Sequence, residues 1–167
     1  ADPAWCLRPE MIRGVQMLAD FNFHYEICIK EAEQTANAIE LVRRCPQVRF
    51  ILDHIGKPMI AQRELEPWKT HIRQLAAMDH VVCKVSGLVV EADREHWTLD
   101  DLRPYLDHVL ECFGVDRLMW GGDWPVVLLG APLERWLQTA EAWSGQFSPG
   151  EQRKLFRDNA LAWYRIQ

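Results

Sequence analysis

The 167-residue chain contains no uninterrupted apolar stretch near the roughly 20 residues that a bilayer-crossing helix needs. Runs such as Val126-Val127-Leu128-Leu129 break within a few positions, so no membrane-spanning helix is expected. The opening residues, Ala1-Asp2-Pro3-Ala4-Trp5-Cys6, have neither a basic start nor an apolar segment, and no initiating Met. They read as the interior of a longer chain without a secretory leader. Positive charge is not in excess: 19 Lys and Arg stand against 24 Asp and Glu, a formal charge of −5, with basic residues scattered. That balance argues against a nucleic-acid partner and for a small molecule.

Paired cysteines are missing too. Cys6, Cys28, Cys45, Cys83 and Cys112 are odd in number and form no Cys-x-x-Cys, which excludes a disulfide framework and a structural zinc knot. They are expected to be reduced thiols of a cytoplasmic protein, with Cys28 and Cys83, inside apolar strand-like runs, acting as small buried hydrophobes. Gly-x-Gly-x-x-Gly, Gly-x-x-x-x-Gly-Lys-Ser/Thr, Gly-x-Ser-x-Gly and His-Glu-x-x-His are all absent. Their absence removes the common nucleotide, serine-hydrolase and zincin readings. What is present, 49% apolar and 26% charged residues with mean hydropathy −0.22, is the composition of a folded globular domain.

Hydrophobic periodicity alternates between helix and strand. A helical run from Pro9 to Asp20 precedes a period-two segment, Phe23 to Ile29, that sets Phe23, Tyr25, Ile27 and Ile29 against His24, Glu26 and Cys28. Helical text follows over Ala32–Arg44, then a strand at Val48–Leu52, a helix over Leu65–Met78, and a strand at Val81–Val85. A long loop, a helix over Leu99–Phe113 and a strand at Arg117–Trp120 come next, and helices over Leu133–Trp143 and Pro149–Tyr164 close the chain. Four strand-then-helix units in series, with no Ser-rich or charged linker, predict one α/β domain with a parallel sheet.

In such sheets the chemistry collects in the loops after the strands. His54 directly follows an apolar strand and precedes Gly56-Lys57-Pro58, a turn that fixes its loop. A neutral imidazole there can donate to a carbonyl, bind a metal or shuttle a proton. Asp123 follows two glycines and precedes Trp124-Pro125, which holds a carboxylate at a strand's end; its rival role is a helix N-cap or Asx turn. Glu26 and Lys84 lie inside strand text, either as a structural ion pair or as the lining of a pocket. Trp97, beside His96 in the long loop, either covers a polar ligand or packs its own loop. Lys57, Lys84, Trp97 and Trp124 complete the candidate substrate-binding set, and His71, His80 and His108 are expected to be structural.

Three segments, Leu52-Asp53-His54-Ile55-Gly56-Lys57-Pro58, Lys84-Val85-Ser86-Gly87-Leu88 and Met119-Trp120-Gly121-Gly122-Asp123-Trp124-Pro125-Val126, resemble in order three motifs of the amidohydrolase superfamily. The likeness is greatest to its branch of sugar-acid and pyrone-dicarboxylate lactonases, and extends to Asn159-Ala160 and Trp163-Tyr164. The resemblance implies the last four βα units of a TIM (βα)8 barrel, 1–167 being the C-terminal part of one domain whose N-terminal strands lie elsewhere. A closed barrel typically needs about 250 residues. The superfamily's His-x-His pair has no counterpart here, and where many members place a histidine or lysine late on the fourth or fifth strand, Glu26 and Cys28 stand instead.

By the same resemblance, Asp123 binds a divalent metal such as zinc and acts as general base, while His54 binds metal or polarises the substrate carbonyl. The implied reaction is hydrolysis of a sugar-acid lactone, with metal-dependent decarboxylation or a catalytically inactive subunit as the alternatives. An opened barrel leaves two unpaired strand edges and a bare apolar interior. The segment is therefore expected to associate with the missing N-terminal half or with another copy, and to have little activity alone.

Overall fold

A computed structural model describes residues 2–166. Helix α1 (Pro9–Met17) leads into strand β1 (His24–Ile27), followed by α2 (Ala32–Arg44), β2 (Arg49–Leu52), α3 (Trp68–Ala76) and β3 (Val81–Val85). Next come α4 (Leu88–Glu91), α5 (Leu99–Phe113), β4 (Leu118–Trp120), α6 (Leu133–Ser144), α7 (Pro149–Arg153) and α8 (Asn159–Tyr164). The sheet runs β1-β2-β3-β4 with every pairing parallel, in the register Ile27↔Leu52, Leu52↔Cys83 and Val85↔Trp120. Strands adjacent in sequence are adjacent in space, the arrangement that a series of βα units dictates.

Strand alternation divides the sheet into two faces. Ile27, Phe50, Leu52, Val81, Cys83, Val85 and Leu118 join one core with Ile39 and Val42 of α2, Ile72 and Leu75 of α3 and Leu102, Leu106 and Val109 of α5. The other face carries Ile51, Val82 and Met119 as a small apolar floor, with the polar side chains Glu26 and Lys84 among its neighbours. The predicted split of Tyr25 and Ile27 from His24 and Glu26 is therefore present. Tyr25 meets Phe50 edge-on in the outer core, and Glu26 bonds to Lys84 on the inner side.

Four departures from the sequence expectation have local causes. β1 is two residues shorter than expected at its C-terminal end, because Cys28 and Ile29 have left the ladder with β2. α3 starts at Trp68, three residues later than expected, with Pro67 just before it. The loop after β3 contains α4. The last helical run is divided by a widened turn at Lys154–Asp158, where Phe156 packs on Trp120 and Asn159 Nδ2 donates to the carbonyls of Val115 (2.7 Å) and Leu118 (2.6 Å). A turn of this kind re-aims a helix.

That redirection corrects one expectation outright. The inner floor is not bare: Ala160, Trp163 and Tyr164 of α8 pack on Ile51, Val82 and Met119, and the three floor residues are fully buried. Tyr164 Oη donates to Glu26 Oε1 at 2.6 Å, so the chain's end crosses beneath the sheet from β4 to β1. Among the described residues no helix is long and apolar enough to cross a membrane.

Candidate active site

The site is built where the strands run out. β2 passes into a tight turn, Asp53–Gly56, in which His54 (φ 54°, ψ 39°), Ile55 (φ 47°, ψ 25°), Gly56 (φ 75°) and then Lys57 (φ 47°, ψ 63°) are all left-handed. A non-glycine residue in that region costs roughly 1–2 kcal/mol, and a β-branched one such as Ile55 is an outlier. Such strain persists only where surroundings impose it, and it concentrates at functional sites. Here a buried hydrogen bond from Trp68 Nε1–H to the Ile55 carbonyl, 2.7 Å, and one from the Lys57 N–H to the His54 carbonyl, 2.8 Å, hold the turn.

The turn seats the His54 ring against the start of the next loop. His54 Nδ1 lies 2.8 Å from Ser86 Oγ, and Gly87, itself left-handed at φ +73°, passes so close that a Cβ there would sit 2.8 Å from His54 Cβ. Only glycine admits that approach. From the end of β4, Asp123 (φ 53°) brings its Oδ2 to 3.9 Å from His54 Nδ1. This is too long for a direct hydrogen bond and is a distance that a water can bridge. The two side chains keep 17% and 15% of their surface exposed, enough to meet a ligand and little enough to intensify their fields. The rival capping role for Asp123 is not seen: Pro125 stands at the N-terminus of the following turn, Val126–Leu129, with no side-chain cap.

Below this pair lies a charged layer. Lys84 Nζ is 2.6 Å from Asp53 Oδ1 and 3.1 Å from Glu26 Oε2, and Glu26 in turn receives the Tyr164 hydroxyl. Burial opposes the Lys84 charge, but its bonds to Asp53 and Glu26 outweigh that and hold its pKa above the usual lysine value. Burial likewise works against the Glu26 carboxylate, which Tyr164 and Lys84 nonetheless keep below the ordinary range. Burial pushes the Asp53 carboxyl up, against the opposing pull of the Lys84 ammonium beside Oδ1.

Of the residues singled out from sequence, His54 and Asp123 are brought together and Lys84 lies one layer beneath, engaged by carboxylates on both sides. Trp124 follows Asp123 and is 69% exposed. Trp97 is elsewhere: only 2% exposed, it donates from Nε1 to the Gly130 carbonyl at 3.0 Å and lies under Arg135, so it ties loops together and offers no face to a ligand. Lys57 points outward, lining with Lys30, Pro58, Met59 and Trp68 a cavity of about 390 Å³ between α2 and α3. Cys83 is buried as expected, but Cys28 is exposed, because its parity places it on the inner side beyond the end of β1. His108 is buried and bonded to the Lys69 carbonyl, and His96 pairs with Asp93 at the surface.

The sequence reading missed Ser86 as the partner of His54 and Tyr164 as the partner of Glu26. Ser86 carried a usable signal, its position at a strand end. The Tyr164 contact spans 138 positions and had none.

Residues 1–166 match the family model described as Amidohydrolase. The chain belongs to that family. It is 36% identical to the L-fucono-1,5-lactonase of Burkholderia multivorans over 167 residues, 94% of this chain and 56% of that protein. A crystal structure of an amidohydrolase from Burkholderia multivorans with bound zinc superposes with a TM-score of 0.92 at 35% identity, over 99% of this chain and 60% of that one. A 2-pyrone-4,6-dicarboxylic acid hydrolase structure from Pseudomonas putida, at 23% identity and TM-score 0.74, shares the fold. This amidohydrolase chain thus spans a little over half the length of the curated relatives it matches, and its four βα units are part of a TIM barrel.

Amidohydrolases are typically metal-dependent. The donors present here fit a divalent cation: Cys28, Asp53 and His54 each offer a ligand atom, all within 4.8 Å of one another.

Proposed function

We propose that the chain is the C-terminal part of a single-domain lactonase that opens a sugar-acid lactone, with His54 and Asp123 on the reacting centre. The carrying observation is their placement: an imidazole and a carboxylate from the ends of two different strands, 3.9 Å apart on one rim. The similarity to an L-fucono-1,5-lactonase supports the substrate class.

Asp123 accepts a proton from a water held at its carboxylate, and that water's oxygen bonds to the lactone carbonyl carbon. When no cation is bound, His54, with its proton on Nε2 and Nδ1 accepting from the Ser86 hydroxyl, donates to the carbonyl oxygen as charge develops there. Collapse of the tetrahedral species breaks the ring C–O bond, and the proton taken by Asp123 passes to the departing alkoxide, giving the open hydroxy acid. Trp124, 69% exposed beside Asp123, offers an apolar face to the substrate. Lys84 acts from below, since its ammonium is committed to Asp53 and Glu26. A divalent cation, when bound at this rim, supplies Lewis-acid polarisation of the carbonyl.

The complete pocket forms when the remaining barrel strands, or a second copy, pair with the free edges of β1 and β4. The five free cysteines fit a cytoplasmic setting. The test is turnover on a panel of aldonolactones after the upstream strands are restored, repeated with Asp123→Asn. A loss of about a hundredfold or more is the expected result. Unchanged turnover, or activity only as a decarboxylase, overturns the reading.

A further inference from the structure

We infer that Cys28 is a metal ligand, completing with Asp53 and His54 a three-residue site for a thiophilic divalent ion such as zinc or cobalt. This deepens the reading above, because the two share His54.

The three ligand atoms come from the ends of neighbouring strands and already lie within 4.8 Å of one another. Zinc holds sulfur at about 2.3 Å and nitrogen or oxygen at about 2.0–2.2 Å, so ligands of one ion sit roughly 3–4 Å apart. Each donor is prepared in a separate way. Cys28 is exposed on the inner side, unlike Cys45 and Cys83, which are buried in the outer core. When His54 Nδ1–H donates to Ser86 Oγ, 2.8 Å away, Nε2 is left with its lone pair, the second-sphere arrangement that orients metal-binding histidines. Asp53 is buried, at 8% exposed, and its Oδ1 meets the Lys84 ammonium at 2.6 Å.

Charge points the same way. Glu26 and Asp53 flank the ammonium of Lys84, Asp123 stands 3.9 Å from His54, and the nearby Lys30 is taken by Glu91 at 2.9 Å. The cluster therefore has an uncompensated negative charge that a cation relieves. Binding displaces the Cys28 thiol proton to solvent, and one thiolate, one carboxylate and one imidazole leave a coordination position open, as reactive sites do and structural ones do not.

The test is a cobalt(II) titration of the metal-free chain, followed by absorption. A thiolate-to-cobalt charge-transfer band in the near ultraviolet is expected, lost in Cys28→Ser and kept in Cys112→Ser. The second variant controls for the other thiol–imidazole contact, Cys112 Sγ to His108 Nε2 at 3.5 Å. No band, or a band that survives Cys28→Ser, overturns the inference. The optical signal does not depend on turnover, so a band that remains when lactone hydrolysis fails refutes the lactonase reading alone.

Discussion

Lys84 lies between two carboxylates under the rim, and its removal makes a quantitative test of the charged layer. In Lys84→Met the stem's packing survives while Asp53 and Glu26 lose the ammonium now 2.6 and 3.1 Å away. Breaking a buried pair by deleting one partner costs about 3–5 kcal/mol. Glu26 keeps a third of its side chain exposed, and water screens it, so the lower end, about 3 kcal/mol at pH 8, is expected. The pH dependence gives a second handle. Without Lys84, burial and mutual repulsion raise both carboxyls in the folded state above their unfolded values, so the folded variant binds more protons than the unfolded chain. Its stability therefore rises as pH falls from 8 toward 5, and its deficit against the parent shrinks. Adding Asp53→Asn should recover at least half of the loss. Urea denaturation followed by tryptophan fluorescence at the two pH values measures all of this. A deficit below about 0.5 kcal/mol at pH 8, or one that grows on acidification, refutes the account.

Two further variants probe the construction of the rim. Gly87→Ala forces a Cβ to within 2.8 Å of His54 Cβ at a left-handed backbone position, and should cost about 2–4 kcal/mol by denaturant titration while displacing the His54 ring resonances; a neutral effect would show that the loop yields freely. Trp68→Phe leaves the buried Ile55 carbonyl without its 2.7 Å donor, at a cost of about 1–3 kcal/mol, with faster amide exchange expected in the Asp53–Lys57 turn and little change at Gly130 as the internal control.

Within this family the motif residues are recognisable in the text because their chemistry is local. His54 is followed by a glycine that must turn left-handed, and Asp123 is preceded by the glycines that free its backbone. Their positions directly after strand text were enough to place both on one edge. Periodicity was equally sufficient for α5, Leu99–Phe113, where the Thr98–Asp101 capping box fixes the start and Gly114 the end. It also put Glu26 and Cys28 on a common face. The treatment of Cys28 as a buried hydrophobe failed for a nonlocal reason: composition gives a residue's affinity for the interior, and only the register says which interior it faces.

Sequence alone thus determined the βα order and the parallel sheet, and it singled out His54 and Asp123 as candidates, because each follows from spacing along a single segment. The tertiary structure decided what those residues touch: the 3.9 Å gap between His54 and Asp123, the burial of Trp97 away from the rim, the engagement of Lys84 by carboxylates from β1 and from the turn after β2, and the passage of Tyr164 under the sheet to Glu26. Each of these contacts joins segments tens of residues apart or more. Its energy depends on how neighbouring strands and the final helix pack, which no local pattern encodes.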